Sequence, residues 1–247
     1  MLSGKRILVT GANSGIGFSI CELLLKNNAK LVLFYHKNNN QIEKLHSHKN
    51  QIESHQVNLL VDSDVETAVT RSLQDRPIDG FIHSVSHPLK MKSIGELDWK
   101  DYQTQIDLQA KSFFSIVSHI IPSMKSRKHG KIISIMTSAT VGIPPSNMSD
   151  YVVGKYSLLG LSKAMAVELG RFNITVNCIS PSVVDTNLTA NMPAKFKEFA
   201  AGQSPTGKLV TPSDVASVAL FLCSEKADSI SGENIVVDGG PIKYTQI

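Results

Sequence analysis

Residues 6–17 of the chain read RILVTGANSGIG. The first five are mostly apolar or β-branched, which is typical of a strand buried on both faces. Glycines follow at positions 11, 15 and 17, and apolar residues then recur at helical spacing as far as Leu24. Glycines permit a tight turn and let backbone N–H groups approach a pyrophosphate, and a helix N-terminus adds partial positive charge. This strand–turn–helix context favours a dinucleotide-binding turn over a glycine-rich turn without a ligand.

The rest of the chain continues this alternation of strands and helices. Strands are predicted at Arg6–Thr10, Lys30–His36, Ser54–Asn58, Gly80–Ser84, Lys131–Ser138, Thr175–Ser180 and Asn234–Val237. Helices are predicted at Gly15–Asn28, Asn40–His48, Ser63–Asp75, Asp101–Met124, Asp150–Arg171 and Ser213–Ser224. The pattern predicts a single α/β domain over residues 1–247 with a doubly wound parallel sheet. The piece from Pro181 to about Thr211 is the one long irregular segment, typical of a loop that closes over a site.

The composition excludes several classes of protein. The chain has 247 residues with 25 Lys and Arg against 21 Asp and Glu, and this net charge of +4 is too dilute for a nucleic-acid-binding protein. Its apolar runs fall far short of the roughly 20 residues that span a bilayer, and its N-terminus lacks the apolar segment of a secretory signal. The three scattered cysteines predict a reducing compartment and no zinc site. We therefore expect a cytoplasmic protein without metal, nucleic-acid or membrane partners.

The end of the second predicted strand indicates which dinucleotide is bound. A site for NAD usually carries a carboxylate there, which accepts hydrogen bonds from the ribose hydroxyls. This strand instead ends with Tyr35, His36 and Lys37. A cation at this place attracts a 2′-phosphate, which a carboxylate would repel, although a single lysine is often merely solvated. The sequence therefore favours NADPH over NADH.

Tyr151 and Lys155 lie four residues apart in a long helical pattern, so their side chains project from the same helix face. A phenol with a pKa near ~10 exchanges protons poorly at neutral pH, and we expect the neighbouring ammonium to favour its ionised form. That pairing suits general acid–base chemistry on an alcohol or carbonyl oxygen. Ser138, at the end of the preceding predicted strand, is positioned to hydrogen-bond the same oxygen. The Tyr–Lys spacing alone is common on helices, but after a dinucleotide-binding turn it indicates an oxidoreductase.

The chain resembles the short-chain dehydrogenase/reductase family along nearly its whole length. The resemblance rests on the turn Thr10–Gly17, the set Ser138, Tyr151 and Lys155, the stretch Asn177–Pro181 and the ending Val236–Gly240. It implies a Rossmann-type sheet of seven parallel strands with helices on both faces, and hydride transfer between NAD(P)H and a carbonyl or alcohol. Within the family the chain is most similar to the 3-oxoacyl-[acyl-carrier-protein] reductases. That similarity implies reduction of a carrier-bound 3-oxoacyl thioester in fatty-acid or polyketide-type synthesis.

The resemblance also implies roles for individual residues. Tyr151 would donate the proton, Lys155 would also bond the nicotinamide ribose, and Gln109 stands where the family has an asparagine that supports a proton-relay water. The implied cofactor contacts are Gly11, Asn13, Ser14, Gly15, Ile16, Gly17, Tyr35, His36, Lys37, Asn58, Leu59, Ser84, Tyr151, Lys155, Pro181, Val184 and Thr186. Counting forward from Gly130 selects Thr137 as the catalytic hydroxyl, whereas counting back from Tyr151 selects Ser138, which we favour.

Departures from the family pattern keep other functions open. The stretch His83-Ser84-Val85-Ser86 loses a glycine beside the cofactor and is similar to the enoyl-reductase branch of the family. The short Tyr–Lys spacing and the intact glycine turn nevertheless favour ketone chemistry over C=C reduction. An oxidoreductase acting on a free alcohol, sugar or steroid is one alternative. A cofactor-binding protein without turnover is another, and the altered residues motivate it.

Two further expectations concern partners. Basic residues cluster at 125–131, and Lys128 and Arg171 are the candidates for docking an acidic acyl carrier protein, with a solvated surface as the alternative. The resemblance also implies a homotetramer or homodimer. A group of apolar residues fits either a core face or such an interface: Phe113, Phe114, Ile116, Val117, Ile120 and Ile121.

Overall fold

A computed structural model describes residues 1–186, 189 and 194–240 of the chain. It contains a seven-stranded parallel sheet in the order β3-β2-β1-β4-β5-β6-β7. The strands are β1 (Arg6–Thr10), β2 (Lys30–Tyr35), β3 (Ile52–Gln56), β4 (Gly80–His83), β5 (Gly130–Ile135), β6 (Ile174–Pro181) and β7 (Asn234–Val237). The predicted doubly wound α/β fold is confirmed. Strand ends differ from the prediction by a few residues; β5 stops before Ser138 because a short 3₁₀ turn follows it.

Helices connect these strands on both faces of the sheet. They are α1 (Gly15–Lys26), α2 (Asn40–Glu43), α3 (Asp62–Asp75), α4 (Trp99–Ile106), α5 (Ser112–Arg127), α6 (Ser149–Leu169), α7 (Ala194–Gln203) and α8 (Pro212–Cys223). The helix predicted at Asn40–His48 ends early, and a 3₁₀ turn at His46–Gln51 follows. Among the described residues, no helix is both long and apolar enough to cross a membrane.

Helix α7 corrects the expectation that the whole segment from Pro181 to Thr211 is irregular. Its ten residues are rich in Ala and Lys, which favour helix, and this signal outweighs the flanking prolines and glycines. Residues 187, 188 and 190–193 of the expected loop lie outside the described residues. The segment therefore contains a ten-residue helix and is not irregular throughout.

The helix predicted at Asp101–Met124 is interrupted. Helices α4 and α5 are joined by a π-helical turn at Asp107–Lys111, in which each hydrogen bond spans one residue more than in an α-helix. Such turns occur often at functional sites because they push a side chain out of the regular helix register. Gln109 lies at the centre of this turn and is fully buried.

The sheet is covered by an apolar layer on each face. One layer packs α1 and α8 against residues such as Val9, and the other packs α3, α5 and α6 against residues such as Leu8. Each buried side chain of this size stabilises the fold by about 1.5–3 kcal/mol. The sequence left open whether the apolar residues of α5 form a core face or an interface between subunits. Phe113 is buried in the core, whereas Phe114 is 54% exposed and therefore available for an interface. The result is a rigid platform whose strands end at one shared edge.

Candidate active site

The glycine turn joins β1 to α1 at the carboxyl edge of the sheet, where the strand order reverses between β1 and β4. Gly11 has φ +66°, and a Cβ atom there would lie 1.9 Å from the carbonyl oxygen of Ser84. A Cβ atom on Gly17 would lie 2.2 Å from the carbonyl oxygen of Gly11. Ser14 caps α1 by accepting a hydrogen bond from the Gly17 amide at 3.1 Å. The turn is thus built on close backbone approaches that only glycine permits.

A pyrophosphate fits this turn. The first N–H groups of a helix have no acceptor within it, and in α1 these belong to Gly15 and Ile16. A Cβ atom on Gly15 would lie 2.8 Å from Cγ2 of Thr186, so the segment after β6 passes over the turn. Pro181 ends β6, and Val184 is buried between these two points. Pro181, Val184 and Thr186 are predicted to contact the nicotinamide. The structure therefore places the segment that contains them next to the turn proposed to bind the pyrophosphate.

The residues predicted to contact the adenosine end lie where β2 and β3 end. Tyr35 is the last residue of β2, and His36 and Lys37 follow it in an exposed segment. Asn58 and Leu59 follow β3, which pairs with β2. Folds of this type bind dinucleotides in the crevice outside the carboxyl ends of the strands. All five residues lie at that edge.

The side chain of Asn13 is hydrogen-bonded to the segment that follows β2. Its Nδ2 donates to Oδ1 of Asn38 at 2.8 Å, and its Oδ1 accepts from the amides of Gln41 and Ile42 at 2.8 and 3.3 Å. Nothing in the sequence signals these bonds, since the partners are remote along the chain. The Asn13 side chain is therefore occupied by the segment after β2, in addition to any contact with a cofactor.

Tyr151 and Lys155 lie at the start of α6, and both are buried. The Nζ atom of Lys155 is 6.0 Å from the centroid of the Tyr151 ring. We expected the ammonium to favour the ionised phenol, but burial has the larger effect on the pKa of Tyr151. Burial raises the pKa of Tyr151 above its ordinary value, and a hydrogen bond with Thr137 lowers it by less. The phenol is therefore protonated at neutral pH and able to donate its proton.

The hydroxyl group that contacts Tyr151 belongs to Thr137, the alternative to the Ser138 that the sequence analysis favours. Thr137 begins the 3₁₀ turn after β5, and its Oγ1 accepts a hydrogen bond from the Ala139 amide at 3.3 Å. Ser138 is the next residue, inside that turn. Loops vary in length, whereas the register of a paired strand is fixed. Counting from Gly130, the first residue of β5, selects the hydroxyl that contacts Tyr151, and counting back from Tyr151 selects its neighbour.

Lys155 is held by three acceptors. Its Nζ donates to the carbonyl oxygen of Ile135 at 2.7 Å, to Oε1 of Gln109 at 2.9 Å and to the carbonyl oxygen of Val85 at 3.3 Å. Nε2 of Gln109 donates to the same Val85 oxygen at 3.3 Å. Burial lowers the pKa of Lys155 to about 7. Sequence reasoning missed Val85 and Ile135 because they act through main-chain carbonyls, which no side-chain motif reveals.

His83 is the last residue of β4 and lies just before Ser84 and Val85. Its Nδ1 shares a hydrogen bond of 3.0 Å with Oγ1 of Thr10, which ties the ends of β4 and β1 together. Burial and the nearby charge of Lys155 lower the pKa of His83 to about 3, so the imidazole is neutral. Its ring packs against Phe81 and Phe113. The pair of His83 and Thr10 thus fixes the strand that carries the glycine turn relative to the segment that carries Ser84 and Val85.

Lys128 and Arg171 lie together at the opposite edge of the sheet. Lys128 ends α5 just before Gly130, and Gly130 pairs with Ile174 shortly after Arg171. The Cζ atom of Arg171 is 4.8 Å from the centroid of the Phe172 ring. Helix α6 separates Arg171 from Tyr151 by on the order of 30 Å. The structure therefore brings the two predicted docking residues to one end of the molecule, far from the Tyr151 of the same chain.

The chain is similar to known oxidoreductases over nearly its whole length. The family model described as "Enoyl-(Acyl carrier protein) reductase" matches residues 11–241. A 3-oxoacyl-[acyl-carrier-protein] reductase of Rickettsia prowazekii is 30% identical over 246 residues, which cover 97% of this chain and 97% of that protein. A 2-dehydro-3-deoxy-D-gluconate 5-dehydrogenase of Formosa agariphila is 28% identical, covering 97% and 93% of the two chains.

A solved structure adds a likeness in three dimensions. The crystal structure of 3-ketoacyl-(acyl-carrier-protein) reductase from Brucella melitensis, complexed with NADH, superposes with a TM-score of 0.88 at 26% identity and covers 97% of this chain and 99% of that chain. The matched region includes the glycine turn and the set Thr137, Tyr151, Lys155 and Gln109. The chain therefore belongs to the short-chain dehydrogenase/reductase family, as an NAD(P)-dependent oxidoreductase acting on alcohol or ketone groups.

Proposed function

We propose that this protein is an NADPH-dependent ketoreductase that reduces a carrier-bound 3-oxoacyl thioester to the 3-hydroxyacyl form in the cytoplasm. The observation that carries the proposal is that buried Tyr151, Lys155 and Gln109 and half-buried Thr137 lie beside the glycine turn. A protonated phenol next to a dinucleotide site suits proton donation to a carbonyl oxygen, which is the reductive direction. The 3-oxoacyl reductase relatives, which match nearly the full chain, support the acyl substrate.

Each residue of the set has a separate role in the proposed reduction. A bound nicotinamide supplies the hydride that reaches the carbonyl carbon. Tyr151 donates its proton to the carbonyl oxygen, and the raised pKa keeps that proton on the phenol until negative charge develops on the substrate. Thr137 donates a second hydrogen bond to the same oxygen and holds it beside the phenol. Lys155, on the same helix face, stabilises the phenolate that remains after the transfer.

The preference for NADPH rests on charge at the end of β2. His36 and Lys37 are exposed there, and the residues from Leu33 to Ile42 include no carboxylate. A 2′-phosphate meets the Lys37 cation, an imidazole that can donate a hydrogen bond, and no repelling charge in this segment. An NADH-preferring site would need a hydrogen-bond acceptor for the ribose hydroxyls at this place.

The proposal includes a homotetramer or homodimer and a carrier protein docked at Lys128 and Arg171. Exposed apolar side chains on α5 and α6, among them Phe114 and Val167, support contact between copies of the chain. The length of α6 keeps a carrier bound at this pair about 30 Å from the Tyr151 of the same chain. We therefore propose that the docked carrier delivers its thioester to the site of a neighbouring copy.

A second candidate function is reduction of a keto sugar acid. It is favoured by the Formosa agariphila relative, whose identity to this chain is nearly as high as that of the 3-oxoacyl reductases. Reduction of a C=C bond is disfavoured, since a protonated phenol that contacts a hydroxyl group is suited to a carbonyl oxygen. The basic pair at the far edge favours the carrier-bound substrate over the sugar acid.

The test is NADPH oxidation by the purified full chain against a panel of substrates. The panel holds a 3-oxoacyl thioester on carrier protein, the same acyl group on a small free thiol, a keto sugar acid and an enoyl thioester. We expect kcat/KM for the 3-oxoacyl thioester to exceed that for the sugar acid by at least about tenfold. Reversal of charge at Lys128 and Arg171 should lower kcat/KM only for the carrier-bound form. A preference for the sugar acid or the enoyl thioester would contradict the proposal.

A further inference from the structure

The glycine turn and the segment after β2 are joined by one side chain. Asn13 bonds Asn38 through its Nδ2 and the amides of Gln41 and Ile42 through its Oδ1. Those two amides belong to the first turn of α2, whose own N-terminal residue, Asn39, makes no side-chain capping bond. Asn13 therefore caps α2 from a different part of the chain.

The segment held in this way, residues 36–40, is short and, apart from half-buried Asn39, exposed. It contains His36 and Lys37, and the Lys37 ammonium is the cation nearest the end of β2. A second contact, from the Ala12 amide to the carbonyl oxygen of Phe34 at 3.3 Å, joins the turn to β2 just before the segment begins. Together these bonds set the distance between the turn proposed to receive the pyrophosphate and the His36 and Lys37 side chains that follow β2.

We infer that Asn13 is a positioning residue for recognition of the 2′-phosphate. It acts through residues 36–40, because its side chain is bonded to them and to the start of α2. The inference rests on the proposed preference for NADPH. Three neutral hydrogen bonds fix the segment before the ligand arrives, so less conformational freedom is lost when the phosphate binds. We expect the 5′-phosphate and adenine to depend less on this tether, because their predicted contacts lie elsewhere along the edge.

Asn13→Ala tests the inference through binding rather than turnover. The probes are adenosine 2′,5′-bisphosphate and adenosine 5′-monophosphate, each titrated into the full chain by calorimetry. We expect the Kd of the bisphosphate to rise about tenfold and the Kd of the monophosphate to change by less than about twofold. Hydrogen exchange should become faster in residues 36–44, which the lost cap no longer protects.

Two further variants keep the test independent of overall stability. Asn27→Ala removes a comparable side-chain bond, from Nδ2 to the Leu23 carbonyl at 2.9 Å, at the far end of α1, and should leave both Kd values unchanged. Asn38→Ala removes only one of the three bonds of Asn13 and should raise the bisphosphate Kd by a smaller factor.

The outcomes separate this inference from the proposed function. A wild-type chain that binds both probes equally well would overturn the NADPH preference and this inference with it. If the wild-type chain favours the bisphosphate and Lys37→Gln abolishes that preference, an unchanged preference in Asn13→Ala would overturn the positioning role alone. A rise in both Kd values by the same factor in Asn13→Ala would also overturn it, because that result indicates general damage to the turn.

Discussion

The Nζ atom of Lys155 lies 2.9 Å from Oε1 of Gln109, and both side chains donate to the carbonyl oxygen of Val85. An ammonium group has three N–H donors, and in Lys155 all three are satisfied by acceptors of the chain, the third being the carbonyl oxygen of Ile135. The Val85 contact, at 3.3 Å, is the longest of the three and is shared with Gln109. It is therefore the bond that a ribose hydroxyl would replace most easily, with the Gln109 amide keeping the Val85 oxygen satisfied.

Gln109 should control the pH at which Lys155 loses its charge. The pKa of Lys155 is lowered to about 7 by burial, so we expect kcat/KM to fall as pH rises through that value. Gln109→Leu removes an acceptor of the charged form and should move this decline to lower pH. Gln109→Glu adds a carboxylate and should move it to higher pH. The measurement is a pH profile of NADPH oxidation, and a decline that is unchanged in both variants would contradict the role of Gln109.

Lys155 should also make the stability of the fold depend on pH. Its pKa in the folded chain, about 7, lies below the ordinary 10.5, so the unfolded chain binds more protons between those values. The free energy of unfolding therefore rises with pH across that window, and the cost of burying the charge is fully present below it. We expect Lys155→Met to be more stable than the wild type at pH values below about 7, and to show a weaker rise above it. Denaturant titrations at several pH values provide the comparison, in which equal pH slopes for the two proteins would refute this expectation.

Thr137 and Ser138 can be distinguished by two single substitutions. Thr137→Val removes the hydroxyl group that contacts Tyr151 and should lower kcat by about 10²–10³-fold, as for the loss of one donor to a developing oxyanion. Ser138→Ala should retain most of the activity, and Thr137→Ser should restore it because the hydroxyl group returns. The opposite order of activities would return the role to Ser138.

Tyr151→Phe should lower kcat by roughly 10²–10⁴-fold while NADPH binding persists, because it removes the proton donor and only one of the predicted cofactor contacts. The matched control is Tyr156→Phe, on the same helix but 44% exposed, which should have near-normal activity. Steady-state kinetics and a fluorescence titration of NADPH test both parts. Near-normal turnover in Tyr151→Phe would rule out this phenol as the donor.

Gly11→Ala should disrupt the turn itself. The added Cβ atom would lie 1.9 Å from the Ser84 carbonyl oxygen, at a residue whose φ is +66°. Strained backbone of this kind costs about 1–3 kcal/mol, and the clash adds to it. We expect a lower Tm and loss of NADPH binding, whereas Gly95→Ala, which meets nothing within 4 Å, should change neither. Equal Tm values for the two variants would show that the close approach is not structurally important.

Local patterns predicted most of the fold because strands and helices are recognised by short-range periodicity. β1 and β7 have the bounds that the sequence predicts, and α8 begins at the capping box formed by Thr211 and Asp214. The π-helical turn at Asp107–Lys111 was not predicted, since its local sequence is compatible with a continuous helix. Helix α7 was missed because nearby prolines and glycines suggested a loop, although its own residues favour a helix.

The order of the elements, the glycine turn and the four-residue spacing of Tyr151 and Lys155 were all determined by the sequence itself, since each depends on residues close together along the chain. The tertiary structure decided which hydroxyl contacts Tyr151, which carbonyls hold Lys155, and that the pKa of Tyr151 is raised rather than lowered. Those properties depend on burial and on atoms brought together from β4, β5 and two helices. Tertiary packing determines the burial of these groups and the contacts between these atoms, and a local pattern of residues reveals neither the burial nor the contacts.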